Sequence, residues 1–231
     1  MFSRREIKSD AKLAMKQQFG TAILIGIMVS LITGISTSID FAVGRIFGIF
    51  SIPYHIVYWG GFAIIIVAGI NAMGEFIKIS KGETASVASL FSEFRVNFLR
   101  KLGGSLLVSL WIGLWTLLLI IPGIIKTMSY YFTWNILADC PNVRASQAIK
   151  ISMRMTKGYK MELFVWVLSW FGWLILSAFT LGLLYIFYVG PYMQTADAGL
   201  YLRFKEEALA NGTITYEELG ETPPHIVDYS N

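Results

Sequence analysis

The chain has 231 residues, 55% of them hydrophobic and only 15% charged, with a formal net charge of +4. Soluble globular chains carry about 25% charged residues, so this deficit, with a mean hydropathy of +0.59, excludes an ordinary soluble domain and makes lipid the expected solvent. At about 20 apolar residues per span, the length accommodates five or six spans in one helical bundle.

From the N-terminus, Ser3 is a plausible N-cap with Glu6 as its capping-box partner. Ile7, Ala11, Ala14 and Met15 then fall on one helix face, while Arg4, Arg5, Lys8, Lys12 and Lys16 occupy much of the rest. This pattern predicts an amphipathic helix lying on the membrane surface. The long mixed-charge start is unlike the short basic region of a cleavable signal. A first span is expected over 20–38, a loop to about 55, and a second span over 57–77.

Residues 78–85 read as a polar turn. Val87, Leu90, Phe91, Phe94 and Phe98 mark a second apolar face, with Glu93, Arg95, Arg100 and Lys101 around it. The third span, 103–121, runs into Pro122-Gly123, where a missing backbone donor and a freed backbone predict a hinge. Segment 124–139 is short for a span. It reads as a fourth span, a re-entrant segment or the far half of a kinked third span. A third basic amphipathic stretch follows, with Ala148, Ile151 and Met155 on one side and Arg144, Lys150, Arg154, Lys157 and Lys160 around it. Apolar runs over 161–179 and 182–203 complete the membrane part, 1–204; the acidic stretch 205–231 is expected to be a mostly flexible cytoplasmic tail.

The expected fold is therefore all-α: a polytopic bundle of about six membrane segments with three cytoplasmic amphipathic interfacial helices. Six segments place 17 of the 19 Lys and Arg on one side and only Arg45 and Lys126 on the other. Both termini are then cytoplasmic. A unit of basic helix, glycine and hairpin repeats over 3–77, 86–139 and 144–203, with glycines at Gly20, Gly103-Gly104 and Gly158. The competing reading is that any outgoing span tends to follow a basic stretch.

Ionisable groups inside a membrane are costly and mark candidate sites. Glu75, Asn135, Asp139, Gln194 and Asp197 lie near the cytoplasmic ends of the second, fourth and sixth segments. They either build a polar pocket open to the cytoplasm or cap helix ends and pair with headgroup-level cations. Arg4, Arg5, Lys8, Arg100, Lys101, Arg154, Lys157 and Lys160 are the candidate contacts to lipid headgroups, anionic ones above all. The one cysteine, Cys140, and the two histidines, His55 and His225, make no metal-ligand spacing, so no metal or cofactor is expected. No HExxH, GxSxG or Walker pattern occurs, which argues against an enzyme. The basic charge is better matched to a membrane than to nucleic acid.

From about residue 100 onward the chain resembles the bacterial integral-membrane proteins catalogued as domain-of-unknown-function 975. The resemblance rests on Pro122-Gly123, Ile136 to Asp139, the Ser152 to Gly158 stretch, Gly172-Trp173 and Pro191-Tyr192, together with the N-terminal REIKSDAKLAMKQQFGTAIL. Residues 39–100 carry little of it. The family is distantly similar to the membrane portion of some glycerophosphodiester phosphodiesterases, which implies a lipid-associated setting by analogy. Its Gram-positive hosts imply a plasma-membrane location, and it implies no activity. The expectation is a non-enzymatic protein engaging lipids or a membrane-protein partner at the cytoplasmic face. The alternative is a small-solute or peptide transporter, or an export or resistance accessory, using the polar pocket.

Overall fold

The computed structural model describes residues 3–222, and helices are the only regular elements among them. In chain order they are α1 (Arg4–Gln17), α2 (Phe19–Phe47), α3 (Ile52–Lys81), α4 (Val87–Ser92), α5 (Phe98–Leu118), α6 (Ile120–Ser129), α7 (Thr133–Asp139), α8 (Ala145–Met155), α9 (Lys160–Leu168), α10 (Phe171–Phe179), α11 (Gly190–Ala210) and α12 (Tyr216–Leu219). A π-turn, Tyr185–Val189, leads into α11. The bundle is a polytopic membrane architecture. By length and apolarity, α2, α3, α5 and the α9–α10 pair can each cross a membrane. The return limbs of the second and third hairpins are broken, which leaves four such helices rather than six.

The hydrophobic surface divides the molecule into two ends. Leu24, Leu31, Ile35, Phe41, Leu106, Leu110, Leu114, Leu117, Leu174 and Phe179 are all exposed, as a lipid-facing belt requires. The buried core sits at the other, polar end. It gathers α1, the last third of α3, α7, α8 and α11, with Trp166, Tyr201 and Phe132 among its largest enclosed side chains.

The basic amphipathic helices belong to this polar end, and their apolar faces meet protein rather than lipid. Helix α1 starts where Ser3 Oγ accepts from the Glu6 amide, 3.4 Å. Its Ile7, Ala11 and Met15 are buried against α3 and α11. Full burial of a side chain such as Ile7 or Met15 contributes about 1.5–3 kcal/mol. That seat competes with the bilayer surface expected for α1 and is geometrically matched to it. Likewise Ala148, Ile151 and Met155 of α8 are enclosed. The second basic stretch keeps only six helical residues, α4, before a turn through Asn97 at φ 58 starts α5.

Two breaks differ from expectation. Helix α2 runs on through Phe47, so the first loop is only residues 48–51, with Gly48 at φ 81 and Ser51 capping α3 ahead of Pro53. Pro122-Gly123 is not the hinge. The chain reverses at Leu119, whose backbone is extended, and Pro122 lies in the first turn of α6, where its missing N–H costs no intrahelical bond. Gly123 is needed for contact instead: a Cβ there would collide with Thr116 on α5. Helices α5 and α6 are thus antiparallel, and Arg100 at the start of one limb reaches the Cys140 carbonyl beyond the other, 3.1 Å. This excludes a single kinked helix over 103–139.

Of the proposed glycine junctions, Gly158 at φ 92 does turn the chain, whereas Gly20 and Gly103-Gly104 lie inside helices. Residues 205–222 are not a flexible tail. Residues up to Ala210 continue α11, α12 carries a capping box between Thr215 and Glu218, and Ile214 and Leu219 are buried. The rest of the acidic stretch, with His225, lies outside the described residues.

Cys140 is fully buried, and burial pushes its thiol up to about 12 against the pull of Lys205. A maleimide is therefore expected to leave Cys140 unmodified in both intact cells and lysed membranes, and to label it only after denaturation. Rapid labelling of the native protein in either preparation would contradict the packing described.

Candidate functional site

Past Ile70 the apolar run of α3 gives way to Asn71, Glu75 and Lys78, spaced so that they share one helix face. That face, with the start of α5 and the end of α7, encloses a polar cavity of about 360 Å³. Asn71, Glu75, Lys78, Lys81, Glu83, Glu93, Asn97, Arg100, Lys101 and Asp139 supply its charged and amide groups; Ile70, Ile77 and Val96 supply apolar wall. Gly74 lets α7 approach, since a Cβ there would meet Ala138 at 3.7 Å.

Each cation in the wall has a partner. Glu75 is 1% exposed and accepts from Lys78 Nζ at 2.7 Å and the Ser86 amide at 2.8 Å. Lys101, equally enclosed, donates to Asn71 Oδ1 at 2.7 Å and Glu93 Oε2 at 2.9 Å. Arg100 closes the end of α7, donating to the carbonyls of Leu137, Cys140 and Val143 at 2.6, 3.1 and 2.7 Å. A cation there complements the negative end of the helix dipole.

Behind the cavity stands a buried ionic hub. Asp139 accepts from Lys81 at 2.7 Å, from Lys205 at 2.6 Å and from the Tyr201 hydroxyl at 3.0 Å. Lys205 also donates to Glu221 at 2.6 Å. Burial alone would lower the Lys205 ammonium, but the Asp139 carboxylate, with help from Glu221, outweighs it and holds the group above its ordinary range. Asp139, Cys140 and Glu221 present ligand atoms within 4.8 Å of one another, a spacing open to a metal ion. The Lys205 ammonium already lies between the two carboxylates and 3.9 Å from Cys140 Sγ, and the thiol is protonated at neutral pH, so the donor set fits an ammonium better than a metal.

Of the pocket residues read from the sequence, the fold brings Glu75 and Asp139 to this cavity. Asn135 is buried on α7, outside the cavity lining, and Gln194 is half-exposed on α11. Asp197 belongs to a separate cluster, accepting from Trp166 Nε1 at 2.6 Å and the Tyr131 hydroxyl at 3.0 Å.

The candidate headgroup cations also divide. Arg100 and Lys101 serve the cavity. Lys8 donates to Ser169 Oγ at 2.9 Å and lies 4.0 Å over the Trp170 ring. Arg154 pairs with Glu218 at 2.8 Å. Arg4, Arg5 and Lys157 are exposed and Lys160 is half-exposed. Sequence reasoning missed Lys78 and Lys81, which it assigned to the polar turn 78–85, although their spacing from Glu75 and Asn71 signals a shared face. It also missed Asp40, which falls within α2 because that helix outlasts the expected span. Asp40 Oδ1 is buried without a hydrogen-bond partner among the described residues, beside Gly61.

Lys205→Met should destabilise the protein by roughly 3–5 kcal/mol, the usual cost of removing one partner from a buried ion pair. Thermal unfolding in detergent measures this, and an unchanged midpoint would remove the hub from the account. The tail contact is pH-dependent. Its hydrogen bond from Arg154 holds the Glu218 carboxyl below the usual range, so its stabilisation is complete above the ordinary Glu value and lost as pH falls through the lowered one. Proteolysis beyond Thr213 should rise on acidification through that window and stay flat from neutral to mildly alkaline pH.

No curated protein and no solved structure matches the chain. The likeness to the membrane portion of glycerophosphodiester phosphodiesterases thus gains no support, and the N-terminal resemblance falls outside the region that does match. Residues 116–208, from the last turn of α5 through most of α11, match the family described as Protein of unknown function (DUF975).

Proposed function

We propose that the protein is a non-enzymatic membrane protein that holds lipid headgroups at the cytoplasmic face of the plasma membrane, using the cavity between α3, α5 and α7. The observation that carries this reading is the position of the cavity where the apolar belt ends. Its wall passes from Ile70, Ile77 and Val96 to Lys78, Lys81 and Arg100, and Leu99, beside Arg100, is 79% exposed. A phospholipid entering there keeps its acyl chains in the belt while its phosphate meets the lysines at the mouth. The crowding of 17 of 19 basic residues toward one side supports a cytoplasmic orientation for that end.

Lys78 and Lys81 have side chains 38% and 33% exposed, so an incoming phosphate can share them with Glu75 and Asp139. The test compares phospholipid retained by purified parent, Lys78→Gln/Lys81→Gln and Lys78→Arg/Lys81→Arg proteins after delipidation with mild detergent. Anionic phospholipid should fall in the Gln pair and persist in the Arg pair. Equal retention by the Gln pair and the parent would reject the cavity as a headgroup site and favour a free solute or a protein partner.

A further inference from the structure

The three hairpins differ in reach, and one contact measures the difference. Gly26 of α2 faces the third hairpin: a Cβ there would lie 3.5 Å from Pro191 Cγ and 3.6 Å from the Ile186 carbonyl oxygen. From Ile186 the chain runs back only to Leu181 before it turns, a rise of about 8 Å in helical geometry whatever its direction. From Gly26, α2 continues unbroken to Phe47, about 32 Å further. The first hairpin therefore outreaches the third by roughly 20 Å.

The polar boundary of α2 is marked by Gln18, whose side chain donates to the Glu83 carbonyl at 2.6 Å and accepts from the Ala85 amide at 2.9 Å. Gly26 stands about 12 Å beyond it. The third tip thus reaches about 20 Å into a hydrocarbon layer about 30 Å thick. The α9–α10 pair is long enough by residue count to cross, but part of that length is spent at the polar end. Ser169, where the pair breaks, bonds Lys8 of α1, and Tyr192 on the return limb donates to the Lys8 carbonyl at 3.1 Å.

The tip itself has the chemistry of a turn made in hydrocarbon. No Asp, Glu, Lys, Arg or His occurs between Glu162 and Asp197. Phe179 and Leu181 are 83% and 93% exposed. Leu181 takes φ 52, a left-handed conformation that in water usually falls to glycine or asparagine. The backbone donors are satisfied within the hairpin. The amides of Thr180, Leu181, Gly182 and Leu183 donate to the carbonyls of Ser177, Ala178, Ser177 and Thr180, and that of Leu184 donates to Thr180 Oγ1. A bilayer interior demands that closure, since it offers no water to unpaired amides. Beyond the tip, α2 exposes Thr37 and Ser38, whose hydroxyls donate back to their own helix and so tolerate lipid.

We propose that the third hairpin is re-entrant: it dips into the bilayer from the polar end, turns at Leu181-Gly182 within the hydrocarbon, and returns, with lipid acyl chains as the partner of its tip. The inference is independent of the headgroup cavity. Leu181→Cys and Leu183→Cys test it in the native background, where buried Cys140 serves as the blank, with His55→Cys reporting the far end of the first hairpin. A membrane-impermeant maleimide should modify neither tip cysteine in sealed cells or lysed membranes, and both once detergent removes the lipid. Bimane at either tip position should be quenched more by nitroxides on mid-chain lipid carbons than by nitroxides on headgroups. Labelling of a tip cysteine in sealed cells or lysed membranes at the rate of His55→Cys, or stronger headgroup quenching, would overturn the re-entrant assignment.

Discussion

The polar end depends on one buried ion pair, Lys205 with Asp139, 2.6 Å apart. Around it converge Lys81 from α3, Tyr201 from α11 and Glu221 from beyond α12. Burying those charges singly would cost several kcal/mol each. Burying them together makes the positions of α3, α7, α11 and the C-terminal stretch conditional on one another. The hairpins that face lipid gain little from hydrophobic association, because lipid tails are as apolar as their side chains. Their relative placement is therefore set largely at the polar end, where Phe132 packs against Tyr201 and Phe204.

The same constraint explains what became of the basic amphipathic stretches. An amphipathic helix with a cationic face is suited to a membrane surface, but it is equally suited to covering an apolar core. Helix α1 takes the second option. Ile7, Ala11 and Met15 face α3 and α11, while Glu6 and Asp10 approach Arg203 at 3.8 and 2.8 Å. Arg4 and Arg5 are left outward. The proposed headgroup binding thus rests less on a basic surface than on a cavity whose cations are already paired and can be shared.

The pocket shows what a linear reading can reach. Glu75 and Asp139 were legible as costly carboxylates at helix ends, and they do meet one cavity. Asp197 carries the same signal and sits elsewhere, bonded to Tyr131 and Trp166. Lys78 and Lys81 looked like ordinary flanking charges, since nothing in their own neighbourhood announces Asp139, 58 residues away from Lys81. Asp40 was hidden by a boundary error of less than three helical turns: residues 39–47, expected in a loop, remain helical in α2.

Composition and hydrophobic runs were enough to establish an all-helical membrane bundle, its polar and apolar ends and the approximate course of its long helices, because those follow from side-chain transfer energies that act residue by residue. Whether an amphipathic face meets lipid or protein, where the second hairpin turns, how far the third one reaches and which charges share a cavity were decided only in the tertiary structure. Those outcomes depend on pair distances between segments remote in the chain, such as Gly26 to Ile186 and Lys205 to Asp139, and on the energetic penalty of leaving a buried charge or amide without its partner.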